Sequence, residues 1–305
     1  MRRYEIGNLD FTVPAIGLGC MRIGNMNSTE LEKLVEGALD FGIDFFDHAD
    51  IYAGGVSEKV FGALLERKPN LRDQMILQTK CGIKDGQYDL SKAHIIKSTE
   101  DSLKRLNTEF VDVLMLHRPD LLMEGEAIAE AFEVLHRSGK VKYFAVSNMN
   151  GNQIEKIQKH TPHKLLFNQI QMSLVHAPAL DAEVYFNTMD ERAIYRTSGI
   201  IDYCEQSQVK IQCWSVLQAS WEEGSFLKHP GYKALNHKLE ALAEKYSVTA
   251  SAVAIAWLLR HPSEFMAITG TTSLNHLHDV TESMKFQLTS EEWYQLYTVA
   301  GRQLP

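Results

Sequence analysis

Four side chains that could together deliver a proton to a substrate follow short apolar segments of the chain: Asp47, Tyr52, Lys80 and His117. A phenol with an ordinary pKa of about 10 is a poor acid at neutral pH. An ammonium beside it favours the phenolate, so we expect Lys80 to make the Tyr52 proton easier to give, with Asp47 as the counter-ion of Lys80. His117 would donate a hydrogen bond to a substrate carbonyl and polarise it. The four residues therefore predict a proton-donating site.

Each residue type also has a commoner structural use, and one neighbouring pair suggests a metal. A single Tyr is more often a loop anchor, and a single His at a strand end is more often structural, but four suitable residues at successive strand ends favour catalysis. His48 and Asp50 could hold zinc in a barrel hydrolase. Such an enzyme would be expected to have a His-x-His pair after its first strand, where residues 17–19 read Gly-Leu-Gly, and Lys80 would add a cation. We therefore predict no metal site.

The elements that must position these side chains are short apolar strands that alternate with amphipathic helices. Runs that are apolar throughout are typical of parallel strands covered on both faces, and eight strands each followed by a helix favour a closed barrel. We predict strands at Ala15–Gly19, Ile43–Phe46, Met75–Gln78, Val111–Leu116, Tyr143–Val146, Leu165–Asn168, Lys210–Trp214 and Phe265–Ile268. The sequence thus predicts an α/β protein in which residues 1–305 form one (β/α)8 TIM barrel domain, with its active site at the C-terminal strand ends.

Two segments depart from this alternation. Residues 4–14 contain two extended runs around Gly7-Asn8, a type I′ turn sequence when taken with the following Leu9-Asp10, and they predict an N-terminal β-hairpin that acts as a lid or plug. Residues 176–199 are longer and more polar than a usual strand-to-helix loop, so we expect them to shape the ligand site. The expected substrate wall includes Tyr185, Phe186 and Trp221.

The bulk composition limits the kinds of partner. Lys and Arg number 31 against 39 Asp and Glu, a formal charge of -8, and no dense basic run is present, which argues against a nucleic-acid partner. No stretch is long and apolar enough to span a bilayer, and the first residues do not read as a secretion signal, so we expect a cytoplasmic protein without a membrane partner. The cysteines lack metal or redox spacing and are expected to be packing residues: Cys20, Cys81, Cys204 and Cys213.

The candidate site residues stand in segments that resemble the catalytic signatures of the aldo-keto reductases. These segments are FDHADIYAGG at 46–55, QTKCG at 78–82, LHRPD at 116–120, VSNM at 146–149 and ITGTTSLNHL at 268–277. The resemblance extends over essentially the whole chain and is closest to a bacterial branch of poorly characterised oxidoreductases. It implies a (β/α)8 barrel, NADPH or less often NADH as the cofactor, and a catalytic tetrad of Asp47, Tyr52, Lys80 and His117.

The same resemblance implies how the cofactor would be held. Ser147, Asn148 and Gln169 match residues that bind the nicotinamide carboxamide, and Trp214 matches the aromatic on which the nicotinamide ring stacks. The loop after Trp214 would embrace the pyrophosphate, and the turn at 270–272 with its following helix N-terminus would bind phosphate. The full implied set is Gly19, Met21, Asp47, Ser147, Asn148, Gln169, Trp214, Ser215, Leu217, Gly270, Thr271, Thr272 and His276.

The segment after the last strand departs from the family pattern. The family usually has Pro before the Gly of this turn and often Arg or Lys beyond it to hold the 2′-phosphate of NADPH, whereas this chain has Thr269 and then Thr, Thr and Ser at 271–273. Val280 replaces the family's Asn near the adenine. The His-Leu-His at 276–278 is placed in the last helix as solvated surface. Because the basic clamp is missing, preference for NADPH would depend on hydroxyls, backbone amides and His276, and NADH stays an alternative.

The favoured hypothesis is a nicotinamide-dependent reductase of aldehyde or ketone groups in small molecules. Hydride would go to the carbonyl carbon and a proton from Tyr52 to the oxygen. The alternative is a nicotinamide-binding, redox-sensing regulatory subunit with slow turnover, because some barrels that resemble this family have that role. The pattern does not select one carbonyl substrate, since fold and substrate are independent, and a monomer is favoured.

Overall fold

The computed structural model describes residues 1–7, 9, 11–84, 87–186, 190–191 and 199–302, and its centre is a closed barrel of eight parallel strands. These strands are β1 (Ile16–Gly19), β2 (Phe45–Asp47), β3 (Ile76–Cys81), β4 (Val111–Leu116), β5 (Val141–Ser147), β6 (Leu165–Gln171), β7 (Lys210–Trp214) and β8 (Met266–Thr269). Each strand pairs with its neighbour in chain order, and β8 pairs with β1 to close the ring. The predicted (β/α)8 fold is confirmed.

Helices surround the barrel and connect its strands. They are α1 (Ser28–Asp40), α2 (Val56–Arg67), α3 (Lys92–Leu106), α4 (Gly125–Arg137), α5 (Gly151–Gln158), α6 (Pro178–Val184), α7 (Ile200–Gln206), α8 (Lys233–Tyr246), α9 (Ala250–Leu259), α10 (Leu274–Thr281) and α11 (Ser290–Val299). The first helix begins with a capping box in which the Asn27 side chain accepts from the Glu30 N–H and the Glu30 side chain from the Asn27 N–H. The Thr249 side chain caps α9 by accepting from the Ala252 N–H.

The strand bounds show what apolar patterning detects and what it leaves out. Val111–Leu116 and Lys210–Trp214 coincide with the prediction. The strands β2, β3, β5, β6 and β8 end one to three residues later than predicted. The reason is that the polar residues at their C-terminal ends still share the backbone hydrogen bonds of the parallel ladder. Four of the added residues, Asp47, Ser147, Gln169 and Thr269, face the barrel mouth.

The predicted N-terminal hairpin is present and covers the end of the barrel opposite the mouth. Arg3–Glu5 and Thr12–Pro14 pair antiparallel. Arg3 forms a 2.8 Å ion pair with Asp44, just ahead of β2, and Phe11 stacks on Tyr143 near the start of β5. The hairpin is therefore a plug rather than a lid over the active site. Two residues of the predicted turn, at 8 and 10, lie outside the described residues.

The long segment at 176–199 is only partly a loop. It contains α6, and α7 begins just after it at Ile200, while residues 187–189 and 192–198 lie outside the described residues. The four cysteines are free and buried, as predicted for packing residues. Among the helices that the structure describes, none is long and apolar enough to cross a membrane.

A buried carboxylate ties the helices behind the mouth to β3. Glu58 in α2 is fully buried and accepts from the Thr79 hydroxyl at 2.5 Å and from Arg105 Nε of α3 at 2.7 Å. Thr79 precedes Lys80 on β3, and α2 begins four residues after Tyr52. Glu58 therefore helps to fix the relative position of the Lys80 strand and the Tyr52 loop.

Replacing Arg105 by Met should lower the free energy of unfolding by about 3 kcal/mol, because it leaves the Glu58 carboxylate buried without its counter-ion. Urea unfolding measures this loss. Lys104→Met is the matched control, since Lys104 is exposed and pairs only with Asp101 at the surface, where a loss below about 1 kcal/mol is expected. Equal losses in the two variants would contradict the role given to Glu58.

Candidate active site

A cavity of about 1170 Å³ lies at the C-terminal ends of the barrel strands. Its wall includes residues at strand ends on opposite sides of the ring, such as Asp47 at the end of β2 and Gln169 in β6. The same cavity reaches Thr249 and Ser251 at the start of α9 and His276 in α10. It exceeds the range of about 300–1,000 Å³ usual for small-ligand pockets. An extended ligand could therefore span it from the barrel mouth to these helix starts.

An ammonium group with three close partners forms the centre of the site. Lys80 Nζ lies 2.6 Å from Asp47 Oδ1 and donates to the Tyr52 hydroxyl at 2.9 Å. It also donates to the backbone oxygen of His48 at 2.9 Å. Lys80 is fully buried, and Asp47 is almost so. The three predicted residues Asp47, Tyr52 and Lys80 are thus brought into direct contact.

Backbone hydrogen bonds place Tyr52 beside Lys80. After β2 the chain continues along β3, with the His48 N–H donating to the Gln78 oxygen at 2.8 Å and the Asp50 N–H to the Lys80 oxygen at 3.0 Å. A tight turn at Tyr52–Gly55 then reverses the chain, with Ala53, Gly54 and Gly55 all at positive φ. Glycine adopts this left-handed backbone without a side-chain penalty. The two glycines therefore allow the turn that points Tyr52 back to the cavity.

Two opposing effects set the acidity of Tyr52. Burial, the largest cause, raises the pKa of Tyr52 above its ordinary value, and the nearby Lys80 ammonium lowers it. The expected effect of Lys80 on the phenol is therefore present, but burial outweighs it and the pKa of Tyr52 stays above its ordinary value. Burial acts against the charge of Lys80 as well, but Asp47 and Tyr52 together keep the pKa of Lys80 above its ordinary value. The site at rest holds a protonated phenol next to a charged ammonium.

His117 faces Tyr52 across the cavity as a neutral imidazole. Its ring lies edge-on to the Tyr52 ring with centroids 6.0 Å apart. Burial lowers the pKa of His117 to about 2, helped by the charges of Lys80 and Arg118. The Nδ1 atom of His117 is buried without a partner in the described part of the chain. The ring can therefore act as a neutral hydrogen-bonding group but not as a charged acid.

Three buried glutamines connect Asp47 to the opposite side of the barrel. Gln78 Nε2 donates to Asp47 Oδ1 at 2.6 Å and to Gln212 Oε1 at 3.0 Å. Gln169 Nε2 donates to the same Gln212 oxygen at 3.0 Å, and Gln212 Nε2 returns a 3.4 Å bond to Gln78 Oε1. A carboxylate only accepts hydrogen bonds. Asp47 therefore fixes the amide orientation of Gln78, then of Gln212, and finally of Gln169.

The predicted carboxamide-binding residues lie together at the ends of β5 and β6. The Ser147 hydroxyl donates to the Gln169 backbone oxygen at 2.8 Å, and Asn148 Nδ2 donates to the Ser147 hydroxyl at 2.7 Å. Asn148 adopts a φ of 55°, which Asn tolerates better than most residues. All three line the cavity. They present amide and hydroxyl groups to one side of it.

The residues predicted to bind the cofactor phosphates lie near the ends of β7 and β8 and at the start of α10. Gly19 allows β1 to pack closely against β8 there, because a Cβ at this position would meet Ile268 Cγ2 at 3.2 Å and the Thr269 oxygen at 3.4 Å. Trp214 lines the cavity with its Nε1 buried and unpartnered among the described residues. Further predicted cofactor residues on the cavity wall are Met21, Ser215, Leu217, Gly270, Thr271 and His276.

Two details of this end differ from the sequence expectation. Thr272 is exposed and does not belong to the cavity wall, because the turn points it outward between Thr271 and the cap of α10. The His-Leu-His segment at 276–278 is in α10 and not in the last helix, which is α11. It is not wholly solvated, since Leu277 is buried.

Positive charge comes from three side chains for which the sequence analysis predicted no ligand-binding role. Arg22, Arg118 and Lys228 all line the cavity, although none lies in the turn after β8. Arg22 donates to the Gly270 oxygen and to Gln218 Oε1, both at 3.4 Å, and so bridges two loops of the mouth. The sequence around the turn after β8 does not reveal these three side chains, because loops distant in the chain meet only in the closed barrel.

The predicted substrate wall is partly wrong. Trp221 lines the cavity together with Ile51 and Ile83. Tyr185 is instead buried in the protein interior, and Phe186 is exposed outside the cavity wall. The reason is that α6, which ends just before Tyr185, packs away from the mouth. Tyr297 and Arg302 both donate to the Asp181 carboxylate of α6 and hold the helix in this position.

The residues considered for a zinc site do not converge. His48 is fully buried with its ring edge-on to Phe61, and burial together with the Lys80 charge lowers the pKa of His48 to about 3. Asp50 accepts from the Ser98 hydroxyl at 2.6 Å. Within the described ranges, no group of three or more His, Cys, Asp or Glu side chains is placed to hold a metal ion.

Comparisons with known proteins agree with this architecture. The uncharacterized oxidoreductase YcsN of Bacillus subtilis (strain 168) is 33% identical over 319 residues and covers 100% of both chains. The 6-dehydroglucose reductase of Agrobacterium fabrum is 32% identical, with 92% of each chain covered. A crystal structure of an aldo/keto reductase from Klebsiella pneumoniae in complex with NADP and acetate superposes with a TM-score of 0.75 over 96% of this chain and 94% of that one, at 24% identity. The sequence model of the Aldo/keto reductase family matches residues 15–300, so the chain belongs to this family.

Proposed function

We propose that this protein reduces aldehyde or ketone groups of small molecules with NADPH, and that Tyr52 donates the proton. The observation that carries the proposal is the contact of Lys80 Nζ with the Tyr52 hydroxyl at 2.9 Å and with Asp47 Oδ1 at 2.6 Å, beside a cavity of about 1170 Å³. The family supports the reaction class, and a solved relative holds NADP. The four free, buried cysteines support the expected cytoplasmic location, since that compartment keeps thiols reduced.

The residues of this chain fit the nicotinamide group, which would supply the hydride when bound. Gln169 Nε2 is engaged by Gln212, so its oxygen is left to accept from a carboxamide NH₂. Ser147 and Asn148 would complete the carboxamide site, and Trp214 would stack on the ring. Arg22 and Lys228 would supply the charge for phosphate that the turn after β8 lacks.

The proton step follows from the charge state of the site. Because burial raises its pKa, Tyr52 carries its proton when substrate arrives. As the carbonyl oxygen gains charge, the Tyr52 hydroxyl gives that proton, and Lys80 stabilises the phenolate that remains. Neutral His117 would orient the carbonyl from the other side of the cavity.

Replacing Tyr52 by Phe should lower kcat for aldehyde reduction by about 10²- to 10⁴-fold, because the proton donor is removed. NADPH fluorescence titration should give an unchanged Kd, since the ring and its packing stay. Tyr203→Phe is the matched control, as its hydroxyl donates to Glu155 at the surface, and it should keep full activity. Unimpaired reduction by Tyr52→Phe would refute the mechanism, and tight NADPH binding with negligible reduction of many carbonyls by the natural protein would favour the redox-sensing alternative.

Replacing Gln212 by Leu should raise the Kd for NADPH about tenfold, because the Gln169 amide is no longer held with its oxygen toward the nicotinamide. The Kd for 2′-phospho-ADP-ribose, which lacks the nicotinamide, should stay the same. Isothermal titration calorimetry measures both.

The matched control for this variant is Gln158→Leu. Gln158 also makes three amide hydrogen bonds, but these hold the loop before β6 at the far end of the barrel. It should lose stability without changing either Kd. An equal rise of both constants in Gln212→Leu would show a general loss of structure and refute the specific orienting role.

A further inference from the structure

Arg118 is a charged side chain on the cavity wall without a hydrogen-bond or ion-pair partner among the described residues. It follows His117 directly after β4, is only half-buried, and its Cζ lies 6.0 Å from the Trp214 ring centroid. No carboxylate or hydrogen-bond acceptor in the described part of the chain contacts its guanidinium. By contrast, the shielded guanidiniums of Arg72, Arg105 and Arg302 each contact a carboxylate. A guanidinium has five N–H donors, and those of Arg118 are free to face the cavity.

The nearby carboxylates are already used for other purposes. Asp120 stands two residues further on, but its oxygens accept from the Leu90 N–H at 3.1 Å and the Leu122 N–H at 2.8 Å and shape the loop. Asp47 is held by Lys80 and Gln78. The positive charge of Arg118 is therefore not neutralised by either of these groups.

The position of Arg118 suits the substrate rather than the cofactor phosphates. The strand β4 lies diametrically opposite β8 in the ring of eight, and the proposed phosphate-binding turn follows β8. Arg118 instead adjoins His117, whose ring faces Tyr52. A group bound by Arg118 would thus lie on the same side as the reacting carbonyl. The apolar side chains Ile51 and Trp221 line the same cavity and would cover a carbon framework.

We infer that the substrate carries an anionic group, a carboxylate or a phosphate, that binds the guanidinium of Arg118 while the carbonyl faces Tyr52. The planar guanidinium fork matches the two oxygens of such a group in a bidentate contact. The inference rests on the proposed reductase function and adds the chemical class of its substrate.

Two matched aldehyde pairs test this inference: 4-formylbenzoate against its methyl ester, and glyceraldehyde 3-phosphate against glyceraldehyde. The natural protein should show a higher kcat/KM for the charged member of at least one pair, by about 10- to 100-fold for a charge-assisted hydrogen-bonded contact. The pair that shows the preference identifies carboxylate or phosphate as the recognised group. Arg118→Met should abolish the preference by lowering only the rate for the charged member, and Arg118→Lys should keep part of it.

A control variant and two sets of rates distinguish failure of the Arg118 inference from failure of the reductase function. Arg137→Met removes an exposed arginine of α4 and should leave every rate unchanged. Reduction of both members of each pair at equal kcat/KM, or an equal loss for both in Arg118→Met, would mean that Arg118 only packs near Trp214 and would overturn the inference while the reductase function stands. No NADPH oxidation with any of the four aldehydes would overturn both.

Discussion

The buried ammonium of Lys80 is the constraint on which the arrangement of the site depends. A charge this far from water is stable only when its hydrogen bonds and counter-ion are supplied together. Asp47, the His48 backbone oxygen and Tyr52 supply them, and these three come from one strand end and the loop that follows it. The Tyr52 loop therefore cannot move away without leaving a buried charge incompletely partnered.

The ion pair of Asp47 and Lys80 also fixes the orientation of side-chain amides that do not contact Lys80. Asp47 accepts at one oxygen from both Lys80 and Gln78, which leaves no freedom in the Gln78 amide. Gln212 accepts from both Gln78 and Gln169, so the fixed amide orientation extends across the barrel to Gln169, on the side where the nicotinamide would bind. In the proposed mechanism the residue that keeps Lys80 charged thus also orients an acceptor for the cofactor.

Much of this architecture is predictable from the sequence, because strands and the polar residues after them leave local patterns. All eight strands and the contact among Asp47, Tyr52 and Lys80 were predicted in this way. The glutamine chain was not, because Gln78 and Gln212 are 134 residues apart and meet only across a closed barrel. The raised pKa of Tyr52 is not predictable from the motif for a related reason: burial depends on the three-dimensional surroundings, whereas the Lys80 charge is visible in the sequence.

The balance of charges explains why Tyr52, and not His117, is the proposed acid. A protonated imidazole would be the stronger acid and would release its proton first. Burial, together with the charges of Lys80 and Arg118, lowers the pKa of His117 to about 2, so the ring is neutral at neutral pH. The phenol is then the available acid facing the carbonyl, and Lys80 stabilises its phenolate directly. An anionic substrate bound at Arg118 would offset part of the charge that keeps His117 neutral, but burial, the larger cause, would remain.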